Sequence, residues 1–111
     1  MYIVIKTSQE EIDRQGSLFE AARGHWRLDV DRASTCSHAV IALIGQKDIK
    51  AVYKIDKWYP STLIDNRYVF SGEPDIVEEK KLVGKKLNSK WTAKGLENPI
   101  LYPKENELLE V

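Results

Sequence analysis

HAVIALIGQKDIKAVYKIDKWYP, residues 38–60, is the stretch from which the fold can be read. Residues 39–44 form an unbroken apolar run of strand length, the pattern of a central strand covered on both faces. Gly45-Gln46-Lys47-Asp48 reads as a turn. Beyond it Ile49, Ala51, Tyr53 and Ile55 alternate with Lys50, Lys54 and Asp56, with only Val52 out of step. That alternation predicts a half-buried antiparallel strand, so the two halves pair as a hairpin that Trp58-Tyr59-Pro60 is expected to end.

Upstream, residues 2–6 read as a short β-branched strand, and Ser8 followed by Glu11 is a capping-box pattern that opens a helix. Gly16 interrupts it, and residues 17–23 resume as a short helix that buries Leu18 and Phe19, with Gly24 as a left-handed terminator. Asp29 or Asp31 is placed to cap one further turn through Ala33, with Val30 and Ala33 inward. Downstream, a polar loop leads to a strand over residues 67–70, stopped by Ser71-Gly72. Asp75 and Glu78 repeat the capping-box spacing, which predicts a helix with Ile76, Val77, Leu82 and Val83 on its apolar side and its end at Gly84. Residues 99–103 suit an edge strand with proline at each end, and the acidic tail from Lys104 is expected to be frayed or helical.

No repeat, low-complexity tract or linker interrupts the 111 residues, so the expectation is a single α+β domain over residues 1–111. Its antiparallel strands would form a small curled sheet or β-barrel with short flanking helices gathered at one side. A chain of this size supports one core without metal or disulfide help. The one cysteine, Cys36, needs no oxidising compartment, and the opening MYIVIKTS lacks the long apolar stretch of a signal peptide or membrane span. A cytoplasmic location with no membrane partner is therefore expected.

Seventeen basic residues balance seventeen acidic ones, which excludes a wholesale polycation. The charge is nevertheless unevenly placed. Residues 80–95 carry six lysines and no acid, whereas residues 96–111 hold one lysine against four glutamates. Lys85, Lys86 and Lys90 stand beside Trp91 in the basic segment, and ammonium groups with a flat ring match phosphate and base. A solvated lysine face and a core Trp91 are the competing readings.

Catalytic chemistry finds little support. His25 and His38 have no Cys or Glu at metal-ligand spacing, and Cys36 and His38 are related only as i and i+2 on a strand. Asp29, Asp31, Asp56 and Asp65 fall where turns favour Asp for backbone reasons. Neither a phosphate-cradling glycine loop nor a serine elbow is present. The expectation is a non-enzymatic domain without cofactor or metal.

The most distinctive cluster is Arg23-Gly24-His25-Trp26-Arg27, with Trp58-Tyr59-Pro60 at a strand end. Indoles stack on planar ligands and guanidiniums fork onto phosphates or base edges, so these are the parts of a nucleobase pocket. Core packing competes for Trp26 and Trp58, and a surface ion pair with Asp29 or Asp31 competes for Arg27. These residues, with Tyr68 to Gly72, Val83-Gly84-Lys85 and Asn98-Pro99-Ile100-Leu101-Tyr102, carry a resemblance. The pattern R-G-x-W-R, then W-Y-P, F-x-G and N-P-I-x-Y resembles a group of small bacterial and phage domains. The strand order and hairpin are also similar to the PUA-like superfamily, which includes EVE, ASCH and YTH modules.

That resemblance implies a small β-barrel whose side pocket binds RNA or modified-base DNA. It implies Trp26 and Trp58 as pocket walls, Arg23 and Arg27 on phosphate or base edge, the lysine segment along the backbone, and Asn98 on a base edge. The leading expectation is thus a nucleic-acid binding module, with a modified or flipped-out base as its sharpest form. The alternatives are a phage or host regulatory or anti-defence protein acting through a protein partner, and a small-nucleotide binder.

Overall fold

The computed structural model describes residues 1–92 and 99–110. Asn98 lies outside the described residues. The central hairpin is β2 (His38–Leu43) and β3 (Ile49–Pro60), paired antiparallel. On one side of it β1 (Tyr2–Thr7) lies parallel to β2, and β5 (Ile100–Leu101) pairs antiparallel with the outer edge of β1. On the other side β3 pairs with β4 (Tyr68–Pro74), giving one sheet of order β4-β3-β2-β1-β5.

The sheet is mixed, and it is not closed into a barrel. The β1 to β2 connection runs through three helices and returns in the same direction, as a helical crossover between neighbouring strands must. Closure fails because β5 is only two residues long and the free edge of β4 is met by the backbone of Trp26.

Both faces of the sheet are covered. Ile3, Ile5, Ala39, Ile41, Ala51 and Tyr53 point into one core cluster, whereas Val4, Val40, Ala42, Ile49 and Val52 point into a second on the opposite face. Val52 is therefore a core residue in its own right. The alternation of β3 is reset twice. A register shift opposite Ile41 and Ala42 turns Ile49 to the face opposite Ala51, and a second between Ile55 and Lys57 returns Trp58, not Lys57, to the first core. Gly72 sits across from the second irregularity, where any Cβ would collide with the carbonyl of Lys54. The β3 strand ends at Pro60 as expected, whereas β4 continues past its expected stop at Ser71-Gly72 to Pro74.

The helices begin where capping residues stand. Ser8 accepts from the Glu11 amide to start α1 (Gln9–Gln15), which ends at left-handed Gly16. Ser17 starts α2 (Leu18–Arg23) and Asp29 starts α3 (Val30–Ala33). The α2 helix touches both β1 and β4, and Leu18, Phe19 and Val30 pack against the first core. On the other face, α4 (Ile76–Leu82) is capped by Asp75 and packs on β3. Helices therefore occupy both faces, not one.

Two further expectations are corrected. Ile76, Val77 and Val83 are exposed and only Leu82 of α4 is buried. Tyr2 donates to Glu78 and His38 bonds Asp75, so the polar side of α4 faces the sheet. The tail is neither frayed nor wholly helical. After a 3-10 turn at Glu105–Glu107, Leu108 is buried and Leu109 bridges Leu87. No helix among the described residues is long and apolar enough to cross a membrane.

Candidate nucleic-acid interface

Residues 23–26 leave α2 and run along the free edge of β4. Trp26 and Tyr68 exchange both backbone hydrogen bonds at 2.9 Å, and Arg23 Nε donates to Phe70 O at 3.1 Å. The approach is close enough that a Cβ on Gly24 would collide with Val69 Cγ1. Gly24 is extended rather than left-handed, with φ of −179°, so the glycine answers a steric demand and does not terminate the helix by its φ. Trp26 Nε1 donates to Ala22 O at 2.7 Å, which satisfies one of the carbonyls that the end of α2 leaves open. The ring is thereby fixed against the first core while remaining half-buried.

His25 turns to the β3–β4 loop, where its Nδ1 lies 2.6 Å from Ser61 Oγ. That same oxygen accepts from the amides of Leu63 at 3.1 Å and Ile64 at 3.0 Å. With its lone pairs engaged by these two amides, the Ser61 hydroxyl is left its proton to donate to His25 Nδ1. Arg67 completes the link by donating from Nη1 to His25 O at 3.3 Å, while Ser61 N donates to Arg67 O at 2.7 Å.

Two clefts flank His25. The smaller, about 410 Å³, lies against Thr7, Arg14, Trp26, Ile44, Ile64 and Arg67. The larger, about 740 Å³, lies against Arg23, Tyr59, Pro60 and Leu63. Gln15, Gly24 and His25 line both. Their charges mix: Glu11 pairs with Arg14 and Glu20 with Arg23, while Arg67 is engaged through backbone carbonyl oxygen. Thr7 Oγ1 at the smaller cleft is buried and has no hydrogen-bond partner among the described residues, which leaves an acceptor and donor unmet. Lys6 lines the same cleft while its ammonium donates to Trp91 O at 2.8 Å, and burial lowers its pKa.

The sequence-predicted residues divide into groups. Arg23, Trp26 and Tyr59 come together around the clefts, and Arg27 is exposed beside Trp26. Trp58 lies in the first core at 7% exposure, edge-on to Phe70 with ring centroids 5.2 Å apart. The lysine segment belongs to the other face of the sheet. Residues 84–88 are stitched between residues 47–49 and the tail, and Trp91 packs on the second core with Nε1 donating to Glu107 O at 2.7 Å. Lys86 pairs with Asp48 and Lys90 with Glu107, and Lys90 also stands over the Trp91 ring. Lys85 is exposed.

Reasoning from sequence named His25 in the arginine and aromatic cluster but missed Thr7, Arg14, Ser61, Leu63, Ile64 and Arg67. One signal was present: Leu63 and Ile64 are two large apolar residues in the loop STLIDNR, which is otherwise polar.

His38 and Cys36 each have a local partner. His38 bonds Ser37 Oγ through Nδ1 at 2.8 Å and Asp75 through Nε2 at 2.9 Å. Cys36 is buried with its thiol pKa pushed up by burial, the reverse of what a nucleophilic thiolate needs. Among the described residues no three His, Cys, Asp or Glu side chains are grouped to hold a metal ion.

No protein-family model matches this chain, and neither does any curated protein or solved structure.

Proposed function

We propose that this domain binds nucleic acid and seats an unstacked base in the smaller cleft, between Trp26 and the β3–β4 loop. The observation that carries the reading is the cleft of about 410 Å³ that combines an anchored indole with two arginines. A planar base would gain about 1–3 kcal/mol from stacking on an aromatic ring, comparable to the few kcal/mol that extruding it from a stack costs. Arg23 at the neighbouring cleft and Arg27, exposed beside Trp26, are the groups that would meet phosphate. Tyr59 adds a second ring at the larger cleft. A PUA-like relationship, with selectivity for a modified base, is the finer form of this proposal.

The test is fluorescence anisotropy of labelled single- and double-stranded DNA and RNA, with and without modified bases, at low and moderate salt. Saturable binding that weakens with salt is expected, and it should weaken further in Arg27→Ala while that variant remains folded. Absence of binding to every probe at low salt overturns the reading.

A protein partner is the second reading, favoured by one observation: Ile76 and Val77 on α4 are 67% and 63% exposed. Retention of a partner by the parent domain, but not by an Ile76→Ser, Val77→Ser variant, would support it.

A further inference from the structure

We propose that the β3–β4 loop is a wedge that enters a nucleic-acid duplex beside the extruded base, which makes double-stranded nucleic acid the substrate of this site. The inference rests on the nucleic-acid reading above and deepens it.

Leu63 is 78% and Ile64 47% exposed, at the tip of the hairpin. Leu63 lines the larger cleft and Ile64 the smaller, so the pair stands between the two. Two adjacent aliphatic side chains thus stand in water at one tip, and the chain forgoes their burial. A flexible tip could fold them down, but this one is braced. Ser61 Oγ holds both of their amides, His25 holds Ser61, Arg67 holds His25, and Asn66 turns the chain with a φ of +60°.

The chemistry of the surroundings selects the occupant. A base taken into the smaller cleft leaves a gap in its stack, and the residue beside that cleft is an aliphatic one, the kind that nucleic-acid binding proteins insert between base steps. Arg14, Arg23 and Arg67 line the same clefts, where the phosphates of a kinked duplex would pass. A single strand has no such gap to fill. An apolar protein partner would gain from Leu63 and Ile64 but would not need a cleft walled by an anchored indole and two arginines beside Ile64.

The experiment compares the full chain with its Leu63→Ser, Ile64→Ser variant on a labelled DNA duplex containing 2-aminopurine and on the corresponding single strand. Both side chains are exposed, so the variant should keep the parent's thermal unfolding midpoint. The expected result is a loss of about tenfold in duplex affinity and a clearly smaller loss on the single strand, since Ile64 also lines the base cleft. The rise in 2-aminopurine fluorescence on binding the duplex should also disappear. Equal losses on both probes, no loss on the duplex, or binding of the parent to the single strand only would each overturn the wedge and leave the base cleft standing. Failure of the parent to bind either probe overturns the underlying reading and the wedge together.

Discussion

His25 Nδ1 and Ser61 Oγ lie 2.6 Å apart, and this one contact joins the turn after α2 to the tip of the β3–β4 hairpin, 36 residues further on. Because Ser61 Oγ also accepts two backbone amides, its proton has a single acceptor to go to. The wall of both clefts and the apolar tip are thus parts of one hydrogen-bonded unit.

Ser61→Ala should release that unit without unfolding the domain. Leu63 and Ile64 lose the acceptor for their amides, which can turn to water, so the stability cost should be about 1 kcal/mol. Hydrogen exchange is the measurement, with faster exchange expected at the amides of residues 63 and 64 and unchanged exchange in β1 and β2. Unaltered protection at the tip would show that the hydroxyl does not brace it.

Elements were legible in the sequence wherever a local rule chose them. Ser8, Ser17, Asp29 and Asp75 each cap a helix as their chemistry predicts, and the apolar run of β2 is covered on both faces. What local rules do not contain is which surface each element finds. Hydrophobicity put Ile76 and Val77 inside, but side-chain hydrogen bonds from Tyr2 and His38 turn the other side of α4 to the sheet. Alternation could not foresee the irregularities in β3, since one extra residue reverses the facing of everything after it. The candidate site was legible at Arg23, Trp26 and Tyr59, where aromatic and guanidinium groups are unusual enough to notice. Ser61 is a common residue type, and its contacts to His25 and to two loop amides come only from where the fold leaves its hydroxyl.

Gly24→Ala should destabilise the domain by about 1–3 kcal/mol, the range for forcing atoms into a packed contact. The added methyl meets Val69 on β4, next to the Trp26–Tyr68 bridge. Urea unfolding measures it. A Gly24→Ala, Val69→Ala double variant should recover part of the loss, because the obstructing methyl groups are removed. No recovery would locate the glycine's role elsewhere.

Acid sensitivity should pass through Asp75. The hydrogen bond from His38, followed by that from the Glu78 amide, holds its carboxyl below the ordinary value of 3.8. A folded pKa lower than the unfolded one contributes stability that is complete above the ordinary carboxylate value and is lost as pH falls through the folded value. Asp75→Asn should therefore melt below the parent near neutral pH, with the difference shrinking as the solution is acidified past that range. Melting temperatures across an acid series check the sign, and a constant difference at every pH would contradict it.

The two charged regions should differ in their effect on salt dependence, which separates the cleft from the lysine segment. Lys86 and Lys90 already face Asp48 and Glu107, whose carboxyl pKa values are both lowered chiefly by hydrogen bonds from those lysines. A lysine whose charge is matched at the surface releases fewer counterions when phosphate approaches, and Trp91 beside them lies on the face opposite Trp26. Replacing Lys85, Lys86 and Lys90 together by Gln should change the slope of log affinity against log salt by less than about one unit. Replacing Arg27 and Arg67, which have no carboxylate partner among the described residues, by Gln should lower it by up to about two, at nearly one unit for each duplex phosphate contact removed. The reverse ordering would move the nucleic-acid path to the second face of the sheet and take the phosphate-binding role away from the arginines around Trp26.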